Sequence, residues 1–94
     1  MEHYVLLQFQ PEQFDEELWE ITVNTYQELQ RQVPGIHQVK VSKNIFLRDK
    51  NADLMIHLKL ENFEALQRYL QHPIHLGYVE RTKPYVRQQI SFDC

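Results

Sequence analysis

An α+β fold, with four antiparallel strands and the helices gathered on one face, is what the hydrophobic periodicity of this chain predicts. Three observations carry it. Leu54, Ile56, Leu58 and Leu60 alternate with Met55, His57 and Lys59, the period of a strand buried on one side. Phe14, Leu18, Ile21, Thr25, Leu29 and Val33 recur at steps of four and three, the stripe of an amphipathic helix. The segments follow in the order strand, helix, strand, strand, helix, strand. That order is the split βαβ arrangement, a ferredoxin-like βαββαβ protomer with a four-stranded antiparallel sheet.

Each element has a local reason. His3 to Phe9 reads as a strand that stops before Pro11. Its odd positions (His3, Val5, Leu7, Phe9) make the more apolar face, and Tyr4, Leu6 and Gln8 a mixed one. The helical period begins at Asp15; Trp19, Val23 and Tyr26 widen the stripe while Glu16, Glu17, Glu20, Gln27 and Gln30 take the wet side. Pro34-Gly35 stops it. Ile36 to Val41 alternates as a second strand, and residues 42–53 make a connection that is polar at both ends around Ile45, Phe46 and Leu47. After the third strand, Leu54 to Leu60, Asn62 caps a helix with Glu64 in its first turn and Phe63, Leu66 and Leu70 as apolar contacts. Pro73 breaks that helix, and a short helical piece from Ile74 to about Thr82 ends at Pro84. Val86 to Phe92 is the last strand, with Val86, Ile90 and Phe92 expected on one face.

Composition narrows the function classes. Ninety-four residues allow one domain, residues 1–94, with a core that buries only about 60–65% of the unfolded chain's surface. Thirteen acidic against ten basic residues leave a formal charge of −3, the wrong sign for a nucleic-acid partner. The longest apolar run, Tyr4 to Leu7, is far too short for a membrane span, and Glu2 and His3 stand where a signal peptide would begin its basic and apolar regions. The single cysteine, Cys94, excludes an internal disulfide, so a cytoplasmic setting is expected. With only Gly35 and Gly77, far apart, there is no glycine-rich phosphate loop.

The sheet's second face points to a partner. If Leu54, Ile56, Leu58 and Leu60 lie under the helices, the opposite face carries Tyr4, Leu6, Gln8, Met55, His57 and Lys59. That surface is too apolar to stay wet, and a second copy related by a two-fold axis would cover it. A homodimer through the sheets is expected, with Tyr4, Leu6, Met55 and His57 at the contact.

Four segments together carry a family resemblance: His3-x-Val5-x-Leu7-x-Phe9, Val33-Pro34-Gly35-Ile36, Asp53-Leu54-x-Ile56, and Phe63-Glu64-Ala65-Leu66-x-x-Tyr69-x-x-His72-Pro73-x-His75. Over nearly its whole length the chain resembles the stress-responsive dimeric A/B barrel proteins. The resemblance implies ferredoxin-like protomers whose sheets pair into a dimeric α+β barrel. It leaves function open, because that family includes a plant polyketide cyclase, heat-stable stress proteins and many bacterial members of no assigned activity. In the cyclase, a tyrosine and the last histidine of the Tyr-x-x-His-Pro-x-His segment carry the reaction; they match Tyr69 and His75. A histidine can take an acidic proton between two carbonyls, and a tyrosine hydroxyl can donate to the enolate oxygen. A catalytic His75 would titrate between about pH 6 and 7.5. His3 matches a pocket histidine of the cyclase. Leu54 stands where the cyclase has another histidine, and His57, three residues on, points to the other side of the sheet.

The expected ligand-binding set is His3, Val5, Leu7, Val23, Tyr26, Leu54 and His72, around a cavity whose walls extend to Val39, Ile90 and Phe92. Trp19 has the volume to close such a cavity. The competing account is structural: the apolar stripe fills the core, His72 and His75 cap helix ends, His3 is exposed, and Tyr69 packs with its hydroxyl at the rim. No metal site is expected, since Pro73 spoils the spacing of His72-x-x-His75 and no third ligand is placed. No heme, flavin or nicotinamide signature occurs, so no cofactor is expected, and neither Cys94 nor Ser42 nor Ser91 belongs to a readable nucleophilic triad. Two classes stay open: a small stress or binding protein holding an apolar or polyketide-like small molecule, and a cofactor-free cyclase, isomerase or lyase.

Overall fold

The computed structural model describes residues 1–46 and 48–94. Leu47, expected in the connection after the second strand, lies outside the described residues. The order is β1 (Glu2–Phe9), α1 (Glu16–Gln32), β2 (Ile36–Lys43), β3 (Leu54–Leu60), α2 (Phe63–Gln71), α3 (Pro73–Thr82), a 3₁₀ turn (Lys83–Tyr85) and β4 (Val86–Asp93). The four strands form one sheet in the order β2-β3-β1-β4, every neighbour antiparallel. This is the ferredoxin-like topology. No helix among the described residues is long and apolar enough to cross a membrane.

Side chains cap the first two helices, at Asn62 as expected. Asp15 accepts from the Leu18 amide at the start of α1, and Asn62 from the Ala65 amide at the start of α2. Pro73 sits in the first turn of α3, where its missing N–H is no loss. Leu54, Ile56, Leu58 and Leu60 are all buried under the helices, as their alternation required.

Two bulges alter the alternation of the outer strands. Ile36 faces Leu60 and Gln38 faces Lys59, so His37 is the extra residue in β2. In β4, Gln88 faces Gln8 while Val86 faces Phe9, so Arg87 is the extra residue. The second bulge corrects an expectation. Val86 points in with Phe9, but Ile90 and Phe92 lie across from Leu6 and Tyr4 and therefore point out. They are 53% and 65% exposed, and neither lines a cavity under the helices. A one-residue shift in the ladder exchanges the two faces of everything beyond it.

The helices cover the sheet unevenly. α1 lies over β2 and against α3, and α2 packs on β3 and α3. Trp19 is drawn to the β2 side, where the Lys43 ammonium sits 4.7 Å from its ring centre. It therefore does not close the space over β1 and β4. At the turn between α1 and β2, Gly35 has φ +95°, and a Cβ there would meet the Ala65 Cβ at 2.6 Å. Both the backbone region and the close approach of α2 require glycine. Gly35→Ala is expected to destabilise the fold by about 2–3 kcal/mol through strain and overpacking. Urea unfolding of the two proteins measures this, and a loss under about 0.5 kcal/mol would contradict it.

Candidate functional site

A cleft of about 440 Å³ opens where the helices leave the sheet uncovered, between α3 and the inner face of β1 and β4. Its apolar wall is Val5, Leu7 and Ile56 from the sheet with Leu70, Tyr78, Val79 and Val86 around them. Polar groups enter from three directions: His3 on β1, Tyr69 and His75 at the α2–α3 break, and Gln89 and Ser91 on β4. Apolar lining with a few convergent polar groups is the usual character of a small-molecule site.

Tyr69 and His75 meet there because Pro73 breaks the helix between them. Their ring centres are 4.4 Å apart. His75 Nδ1 lies 3.0 Å from the Leu70 carbonyl oxygen. A carbonyl only accepts, so Nδ1 carries the proton and Nε2 of the neutral ring keeps its lone pair. Burial holds His75 below the ordinary histidine value, with the bond to Leu70 opposing and His3 adding to the depression. The imidazole is thus neutral at pH 7, and its titration lies below that of an ordinary histidine.

Tyr69 is fully buried, and its hydroxyl is 2.5 Å from the Tyr26 hydroxyl. Burial raises both tyrosines above the ordinary phenol value, so both stay protonated at neutral pH. Tyr78 stands edge-on to Tyr26 with ring centres 5.7 Å apart. Thr22 Oγ1 donates to the Leu18 carbonyl, so the Tyr78 hydroxyl donates to Thr22 at 2.8 Å. His3 is buried, with its ring edge-on to Tyr69, and its Nδ1 is 2.5 Å from Asp93 Oδ1. An exposed strand-end histidine was the simpler expectation. The pairing of His3 with Asp93 across the first and last strands overturns it.

Of the expected ligand-facing residues, His3, Val5, Leu7 and Tyr26 line the cleft beside Tyr69 and His75. Val23, Leu54 and His72 do not. Val23 is half-buried on the flank of α1, Leu54 is sealed in the core between Leu7 and Lys43 on its neighbouring strands, and His72 turns its ring to accept from the Ile74 amide as the cap of α3. Val39 packs against the core from β2, at the opposite edge of the sheet from the cleft. The sequence reading missed Asp93, Gln89, Ser91 and Tyr78. The β4 residues were hidden by the Arg87 bulge, while Tyr78 had a signal, standing one helical turn after His75 on the same face. Among the described residues, no group of three His, Cys, Asp or Glu side chains is arranged to hold a metal ion.

Fold and cleft define a small ferredoxin-like α+β protein with one face of its sheet open. The whole chain, residues 1–94, matches the model of the stress responsive A/B barrel domain, and the protein belongs to that family. No curated protein matches the sequence. Solved structures share the fold. A dimeric ferredoxin-like protein of unknown function from Thermobifida fusca superposes with a TM-score of 0.80 at 15% identity, over 97% of this chain and 85% of that one. A family member of ferredoxin-like fold from Mesorhizobium loti gives 0.76 at 18% identity, over 99% and 92%. The hydroxynitrile lyase of Passiflora edulis gives 0.77 at 13% identity, over 97% and 87%. At such identities the likeness is one of fold.

The Tyr26–Tyr69 bond gives a test of the site's construction. Removing one hydroxyl leaves the other buried without its partner, which costs roughly 1–3 kcal/mol; removing both is gentler. Tyr69→Phe and Tyr26→Phe should each destabilise, and the double variant should lose less than the sum of the two. Denaturant unfolding of all four proteins closes the cycle, and strict additivity would show that the two hydroxyls do not share a bond.

Proposed function

We propose that the 94 residues act as one domain, that two copies pair through the open sheet face, and that the cleft of each binds a small, largely apolar carbonyl compound and moves a proton on it. The observation that supports the chemistry most is the meeting of Tyr69 and His75 on one apolar-walled cleft, with His75 held neutral and its Nε2 unprotonated. In this reading His75 takes the proton from a carbon between two carbonyls, and the C–H electron pair moves into the adjacent carbonyl to make an enolate. Either hydroxyl can donate in the Tyr26–Tyr69 bond; with Tyr26 as the donor, the Tyr69 O–H is free to donate to the enolate oxygen. Asp93 holds the His3 ring against Tyr69 and fixes its Nδ1 side. Leu54 replaces the histidine of the plant cyclase with a sealed core residue, so the proposal is of proton transfer and not of that cyclisation.

A cleft that only binds is favoured by one fact: the Tyr69 hydroxyl already has a buried partner. Benzoylacetone separates the two readings, since its enol–ketone interconversion is visible by ultraviolet absorbance. The wild type should accelerate it, His75→Gln should lose about 10²-fold or more, and Tyr69→Phe about 10²-fold. Activity should hold from pH 8 down to about 6.5 and fall below that, as His75 takes up a proton. Binding without acceleration would leave the binding reading alone. No shift of the tyrosine or histidine resonances on adding the diketone would remove both.

The dimer rests on the open face. Leu6, Ile90 and Phe92 are exposed there, beside a flat stack of Tyr4 on His57 with ring centres 4.2 Å apart. His57 Nε2 bonds Glu2 at 2.7 Å, which makes the histidine part of that surface rather than of the cleft. The solved neighbours from Thermobifida fusca and Bacteroides fragilis are described as dimeric. Stable obligate interfaces bury about 2,000 Å² or more, and only the sheet face of so small a protomer offers it. Light scattering at micromolar concentration should give the mass of two chains. Phe92→Asp, or His57→Glu with its second carboxylate beside Glu2, should shift it toward one; a wild-type monomer would refute the pairing.

A further inference from the structure

Resting on the reading of the cleft as a ligand site, we infer that it takes an anionic ligand, a compact carboxylic acid with an apolar body, whose carboxylate is held at the cleft mouth by Lys83, Gln89 and Ser91. The juxtaposition comes from the Arg87 bulge. Beyond it, the inward positions of β4 are Gln89, Ser91 and Asp93, facing Leu7, Val5 and His3 in turn. All three are solvent-exposed on the edge strand, so Gln89 and Ser91 stand at the open side of the cleft, across from the apolar wall of Leu7 and Val5.

Asp93 is taken by His3. Among the described residues, neither Gln89 nor Ser91 has a side-chain hydrogen bond, and Lys83 has no ion pair. Lys83 ends α3 and opens the 3₁₀ turn, on the rim of the same cleft. One ammonium, one carboxamide N–H₂ and one hydroxyl are a donor set for a single anionic group. Most of the wall across from this edge is apolar, with Val5, Leu7 and Ile56 on the sheet and Val79 and Val86 beside them, so the remainder of the ligand is apolar too. At about 440 Å³ the cleft is near the small end of ligand sites, which suits a compact acid and not a nucleotide-sized one. Because a lone lysine is a point charge that serves carboxylate and phosphate alike, the test must tell them apart.

The probes are 4-phenylbutanoate and its neutral counterpart 4-phenylbutanamide, titrated into the full chain and followed by calorimetry and by histidine and tyrosine resonances. The acid should bind roughly 5- to 10-fold more tightly than the amide, the range between an exposed ion pair and a charge-assisted hydrogen bond. Raising salt should shrink that preference. Lys83→Met should abolish the preference by weakening the acid far more than the amide, Lys83→Arg should keep it, and Gln89→Leu should reduce it. Equal binding of acid and amide, unaffected by Lys83→Met, would overturn the carboxylate assignment and leave the ligand cleft standing. Displacement of the acid by millimolar inorganic phosphate would overturn it in favour of a phosphate-bearing ligand. Failure of both probes to bind or to move the Tyr69 and His75 resonances would overturn the assignment together with the cleft reading.

Discussion

β1 is the strand on which the two surfaces of this protein depend, because it is hydrogen-bonded on both edges and dressed differently on its two sides. Lying between β3 and β4, it has no freedom to slip: Val5 faces Ile56 on one neighbour and Ser91 on the other. Its ends are tied as well, with Glu2 and Cys94 exchanging backbone bonds and the Phe9 amide held by the Asp53 carboxylate. His3, Val5 and Leu7 therefore look into the cleft while Tyr4 and Leu6 look out to the open face. A slip of one residue would exchange these sets, put His3 beyond reach of Tyr69 and send Tyr4 under the helices. Cleft and open face are two sides of one strand.

The cleft follows from how few elements cover that strand. α1 is drawn toward β2 by its apolar stripe and by the Trp19–Lys43 contact, and α2 packs on β3. What remains over β1 and β4 is the short α3, turned by Pro73, whose Tyr78 joins Tyr26 of α1 and Tyr69 of α2 there in place of close-packed aliphatic groups. Three tyrosines and Thr22 satisfy one another in pairs, so the polar atoms cost little where they are buried, and no buried side-chain polar atom of the described residues lacks a partner. This is why a wet-edged cleft coexists with a core as small as 94 residues allow.

The strands, helices and their caps were legible because each is a local rule. Alternation in 54–60, the four-and-three stripe of α1, Asn62 as cap and Pro73 as break all need only neighbouring residues, and the structure has each of them. The meeting of Tyr69 with His75 was also legible, since it turns on a helix break between two residues only six positions apart in the chain. The open face was readable as far as Tyr4, Leu6, Met55 and His57, which share a strand period. Its most exposed members, Ile90 and Phe92, were assigned to the wrong side.

By itself, then, the sequence determined which segments are strands and helices, where they stop, and that one face of the sheet is left open with apolar groups on it. Those outcomes follow from side-chain period and backbone chemistry over a few residues. Only the tertiary structure decided which β4 residues face the cleft, that His3 is buried against Asp93 ninety positions away, and that the Tyr69 hydroxyl is bonded to Tyr26. The physical reason is that a bulge is a property of two strands and not of one. The extra residue at Arg87 is set by how β4 must pair with β1, and no periodicity within β4 records it.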